Sequence, residues 1–185
     1  MSSIVVEPTA TAHWHSLVHE AEAACHHQLP EDTESYLVFL LMRYLQKPDM
    51  VSRIVALEYM QSLHATGQIK AERLRDVGDH CLLFSGLFPA LAERRRVRVS
   101  YYVNLGRSAY AEVAQTHCHD LYQHLAQDFV VLMDILQAIR NLGQHHNTIA
   151  PLTALDLWED TGSKVARQGI GPANTTLVLG NQAKH

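Results

Sequence analysis

Three histidines, a cysteine and an aspartate fall within ten positions in THCHDLYQHL, residues 116–125. Imidazole nitrogen, thiolate and carboxylate oxygen are the donors that hold zinc, iron and manganese, so the first chemistry this stretch offers is metal coordination. On a helix, His117 stands one turn after Val113 and one turn before Leu121. His124 follows Leu121 by three, and Asp128 lies one turn further on. Two imidazoles and a carboxylate thus run down one side beside apolar positions. One helix supplies too few ligands, so a second must contribute, and His80 (with Asp76) or the pair Glu20 and His27 are the candidates. The competing expectation is plainer: histidines at the edge of a core, hydrogen-bonded to carboxylates or carbonyls.

A second set lies near the start. His15, His19, Glu22 and His26 are spaced four, three and four, one helical stripe on which imidazoles and a carboxylate can converge on an ion. It runs beside the apolar stripe Trp14, Val18, Ala21 and Cys25, a boundary position that a solvated face occupies equally well. With 13 histidines in 185 residues, this helix is also a candidate pH sensor. Arg43, inside the apolar run YLVFLLMRYL, must find a partner, because an unpaired buried charge is costly; Asp76, Asp79 and Glu58 are available. The run RRR at 94–96 reads as a solvated turn. No nucleophile elbow, Walker loop, dinucleotide fingerprint, HExxH or paired ExxH motif is present.

The elements that must position these groups are helical. Apolar residues recur at intervals of three and four over 13–28, and the acidic opening of PEDTESYLVFLLMRYL suits a helix N-terminus. That second helix is apolar on nearly every side, which predicts a central place for it. A third helix runs from Pro48 and Asp49 to a stop at Gly67. A fourth spans 69–94, with Leu74, Val77, Cys81, Phe84, Phe88 and Leu91 inward and Pro89 as a break or kink. A long pattern from Tyr101 to Leu142 exceeds one rod and should bend near Gln127. A last helix occupies 151–169. Alternating strand patterns are missing, so the expected fold is all-α: a single irregular bundle of about six helices over 1–169. Residues 170–185 are expected to be a flexible tail whose TTLVL run is either a lone docking strand or unfixed.

The formal net charge of -4 gives no general attraction to phosphate backbones, so nucleic acid is not an expected partner. No stretch reaches the roughly 18 apolar residues of a membrane span, and the first residues lack the pattern of a secretory signal, which makes the cytoplasm the expected location. Cys25, Cys81 and Cys118, an odd set without CxxC spacing, read as reduced, small apolar fillers.

Residues 73–114 resemble a segment of uncharacterised all-helical bacterial proteins. The resemblance rests on Gly78-Asp79, Leu83-Phe84, the Gly86–Pro89 run, Tyr101-Tyr102, Leu105-Gly106 and Tyr110; it implies a helical fold and no chemistry. A fainter similarity is to haem-oxygenase-like di-metal oxidases, whose pattern has an acid seven residues before a histidine, matched by Glu20 and His27. The same pattern has a late helix carrying histidine, acid and histidine, whose outer pair His117 and His124 match, while Leu121 stands where the acid belongs. The leading expectation is a non-catalytic binding or interaction protein, with self-association as a homodimer. The alternative is a metal-dependent helical protein holding iron, manganese or zinc on His117, His124, Asp128, His80, Glu20 and His27.

Overall fold

The computed structural model describes residues 9–47, 55–117, 120–143 and 149–170. Among them the chain is all-helical, with no strand. The helices are α1 (Ala10–Cys25), α2 (Glu31–Gln46), α3 (Val55–Leu63), α4 (Gly67–Leu87), α5 (Pro89–Arg94), α6 (Val99–His117), α7 (Asp120–Gln127), α8 (Phe129–Gly143) and α9 (Pro151–Thr161), followed by α10 over 164–170. The described residues therefore hold ten helical segments where the periodicity predicts about six. The expected tail beyond Ile170, including TTLVL, lies outside them, as do Pro48 and Asp49.

Three of the extra boundaries have a local cause, and the one between α6 and α7 falls on residues 118–119, outside the described residues. Pro89 has no N–H to give and its ring crowds the carbonyl four residues back, so α4 ends at Leu87 and Pro89 restarts the chain as the first residue of α5. The bend expected near Gln127 falls at Asp128, where backbone bonds still bridge it, Asp128 N to His124 O at 2.8 Å and Leu132 N to Asp128 O at 2.9 Å. Gly162, at φ 75°, closes α9 in the left-handed conformation that glycine adopts freely. Ser163 then caps α10, its Oγ accepting from Ala166 N at 3.0 Å. Gly67 does not stop the third helix as expected; α3 ends at Leu63, and Gly67 opens α4 at φ 57°.

The central element is α4, not α2. Every residue from Val77 to Gly86 is buried, with α6, α8 and α3 packed against the helix. Small residues explain why a helix of modest hydrophobicity occupies the middle: the Tyr110 ring of α6 rests on Gly78, where a Cβ would lie 2.6 Å from Tyr110 Cδ1, and Leu136 of α8 rests on Gly86, where a Cβ would lie 2.5 Å from Leu136 Cβ. Close backbone approach replaces bulk. α2 leaves Phe39 and Leu45 exposed, at 63% and 61%, because among the described residues it is buried along one side, at Thr33, Leu37, Val38, Leu40 and Leu41. Leu37, Leu41, Leu74, Leu82, Phe84, Phe129, Leu132 and Ile135 form part of one continuous apolar cluster.

Candidate functional site

α1 and α2 are joined by only the residues 26–30, so α2 folds back along α1. His26 takes a left-handed conformation (φ 51°) as the C-cap of α1, its N–H bonding to Ala23 O at 3.2 Å. That turn removes His26 from the helical stripe in which the sequence places it. The turn is tied by Glu22, a buried side chain whose Oε1 accepts the Leu29 N–H at 2.7 Å. Held there, the carboxylate presents Oε2 to His19 Nδ1 at 3.0 Å.

The returning helix supplies a fourth member that the sequence reading missed. Glu34, one turn into α2, brings Oε1 to 2.9 Å from His15 Nδ1 and 3.2 Å from His19 Nε2. One ligand atom each from His19, Glu22 and Glu34 lie within 4.8 Å of one another, the one such grouping of metal-capable side chains among the described residues. The two carboxylates are sunk between the helices, with side chains 6% and 13% exposed, while His19 lies at the rim at 63%. Glu34 was legible only as an acidic residue suited to the positive end of α2. The signal that could have found it is the short link, which folds α2 back alongside α1.

A second polar cluster is enclosed in the core. Asp79 on α4 is fully buried, and its Oδ1 accepts from Tyr36 at 2.6 Å and from Tyr110 at 2.7 Å. Its Oδ2 accepts from Arg43, the pairing that the sequence offers among three alternatives. Burial first, and then the charge of Asp79, push the Tyr36 and Tyr110 phenols well above their ordinary range, so both keep the protons they donate. Tyr122 packs edge-on against Tyr36, ring centroids 6.0 Å apart. Three donors on one carboxylate satisfy a buried charge; they bolt α2, α4 and α6 together.

Of the other metal ligands expected from sequence, none among the described residues joins the His19, Glu22 and Glu34 grouping. His124, on α7, has Nδ1 3.9 Å from Asp32 Oδ2 of α2, and Asp128 occupies the bend between α7 and α8. His80 is buried on α4, with Nδ1 3.5 Å from Glu58 Oε2 of α3. Glu20 is exposed on α1, and His27 is half-buried in the turn after it. The backbone of His117 ends α6, and its side chain falls outside the described residues, as do Cys118 and His119. α6 and α7 enclose an open groove of about 990 Å³ lined by Asn104, Arg107, Gln115, Asp120 and Gln123 together with small residues. Among the described residues no histidine lines it.

The remaining surface feature is apolar. α3 turns Val55 and Ser62 inward, and its Tyr59 hydroxyl donates to Glu112 of α6 at 2.7 Å. Outward it shows Leu57, Met60 and Leu63, exposed at 54%, 56% and 44%, and Ile69 follows at the start of α4 with 59%. No helix among the described residues is long and apolar enough to cross a membrane. Comparison of the chain with protein-family models, characterised proteins and solved structures finds no match.

Proposed function

We propose that this chain is a non-catalytic interaction protein that self-associates through the outer face of α3. The observation that carries this is the row Leu57, Met60, Leu63 and Ile69, exposed on a nine-residue helix and at the start of the next. Large apolar side chains at intervals of three on one short helix form a patch of the kind that marks association sites rather than the scattered exposure normal to a surface. A single helix face is self-complementary under a two-fold axis, so the least demanding occupant is the same face of a second copy. Sedimentation velocity on the full chain tests this. The wild type is expected to sediment as a concentration-dependent dimer and a Leu57→Glu, Met60→Lys double variant as a monomer with unchanged helical circular dichroism. A wild type that stays monomeric up to about 100 µM, weaker than most functional homodimers, would overturn it.

A second reading, a metal-dependent protein, has one observation in its favour: the convergence of His19, Glu22 and Glu34 from two helices.

A further inference from the structure

Resting on that second reading, we infer that His15, His19, Glu22 and Glu34 form a zinc-type divalent site that clips α1 to α2. The donor set is chemically suited to the ion, since imidazole and carboxylate together suit zinc and its first-row neighbours. Because imidazoles coordinate a metal in their neutral form, the bound set would bring two carboxylate charges, which a divalent ion cancels. Burial sharpens the point, because the two carboxylates are the least exposed members, and like charges held close in a poorly solvated place call for a cation between them.

The geometry is nearly assembled. Glu22 is fixed from behind by the Leu29 amide at 2.7 Å, an outer contact of the kind that orients metal ligands. Its other oxygen, and Glu34 Oε1, both face His19, at 3.0 and 3.2 Å. Two atoms each bonded to one ion at about 2.1 Å are at most about 4.2 Å apart. One donor atom each from His19, Glu22 and Glu34 already lies within 4.8 Å of the others, near the spacing that one ion requires. His19 now offers one nitrogen to each carboxylate and must turn one of them to the ion; its side chain, 63% exposed, lies at the rim of the cluster. His15 lies outside that grouping, but its Nδ1 is 2.9 Å from Glu34 Oε1, which makes it the candidate for a fourth ligand.

The site shares His15, His19 and Glu22 with the α1 stripe read from sequence and takes Glu34 in place of His26. It is separate from the set His117, His124, Asp128, His80, Glu20 and His27, needs no residue beyond Glu34 and is built within one helical hairpin. Its consequence is mechanical: an ion bound to both helices stabilises the folded hairpin by mass action.

The test is titration calorimetry of the untagged full chain with zinc chloride, beside thermal melts with and without the ion. The wild type is expected to bind with a melting temperature that rises on zinc addition. His19→Ala and Glu34→Gln each should weaken one equivalent by at least about tenfold, since losing a ligand costs no less than losing one of its outer contacts. His64→Ala, at an exposed histidine on the turn after α3 whose Nδ1 faces Met60 O at 2.9 Å, should change nothing. His19 and Glu34 leave the Glu22–Leu29 tie intact, so both variants are expected to fold, which circular dichroism checks. If zinc binds the wild type but neither variant alters it, this site is wrong while a metal-dependent protein survives. If the wild type binds no zinc at 100 µM, well above the range of built zinc sites, both are wrong.

Discussion

The Tyr110 hydroxyl reaches the buried carboxylate of Asp79 at 2.7 Å while its ring covers Gly78, the residue before that carboxylate. Two consecutive residues of α4 thus serve one tyrosine of α6, one by leaving room for the ring and the other by receiving its proton donor. Gly78→Ala puts a methyl into the ring at a fully packed site, and a loss of about 1–3 kcal/mol is expected. Tyr110→Phe keeps the ring and removes the donor, for about 1–2 kcal/mol. Urea unfolding of both variants separates the steric role from the polar one; equal and negligible effects would show that this contact does not hold α6 to α4.

Asp79 and Arg43 test differently. Asp79→Asn leaves the Arg43 guanidinium without its anion in a partly enclosed place, and a loss of about 3–5 kcal/mol is expected. Replacing both at once, with Asp79→Leu and Arg43→Met, removes the charges together and should cost less than the two single changes summed. A double-mutant cycle by chemical denaturation gives the coupling. Strict additivity would mean that the ion pair contributes nothing.

A third expectation concerns the last described helix. Asp134 of α8 is buried and receives Ser163 Oγ at 2.5 Å and Lys164 N at 2.9 Å, so a carboxylate from another element stands at the N-terminus of α10, where a negative charge is favoured. Burial lifts its titration upward, against the lowering by these donors. Asp134→Ala leaves the Ser163 and Lys164 donors without that acceptor, at about 1–3 kcal/mol. Hydrogen exchange should quicken in 164–170 before it does in α4. Uniform exchange across the chain would remove this assignment.

The buried thiols set an alkaline limit. Burial first, then the charge of Asp134, pushes Cys25 from 9.0 up to about 11, and burial raises Cys81 further. Below pH 9 these thiols are protonated folded or unfolded. Between pH 9 and 11 the unfolded thiol ionises and the folded one does not, so the unfolded state is favoured and stability falls as pH rises. Each thiol contributes up to about tenfold in the unfolding constant per pH unit. In a Cys118→Ser background, Cys25→Ala should lessen the fall in urea midpoint between pH 9 and 10, and adding Cys81→Ala should lessen it again. An unchanged slope would show that the thiols are wetted in the folded chain.

Helical class, the break at Pro89, the bend beside Gln127 and the pairing available to Arg43 were all open to a reader of the amino-acid order, because each follows from periodicity, backbone chemistry or the cost of a bare charge acting within a few turns. The rank of the helices was not. Hydrophobicity points to α2 as the centre, yet the middle goes to α4, since what lets two neighbours close in is the small side at Gly78 and Gly86 rather than apolar bulk. Glu34 escaped notice for a related reason: local spacing can align His15, His19 and Glu22 on one helix, but only the turn at His26 decides that a side chain from the next helix, and not His26 itself, becomes the fourth member. Contacts within a helix are set by a rise of about 1.5 Å per residue, and those between helices by the packing of whole faces, which no short window of residues contains.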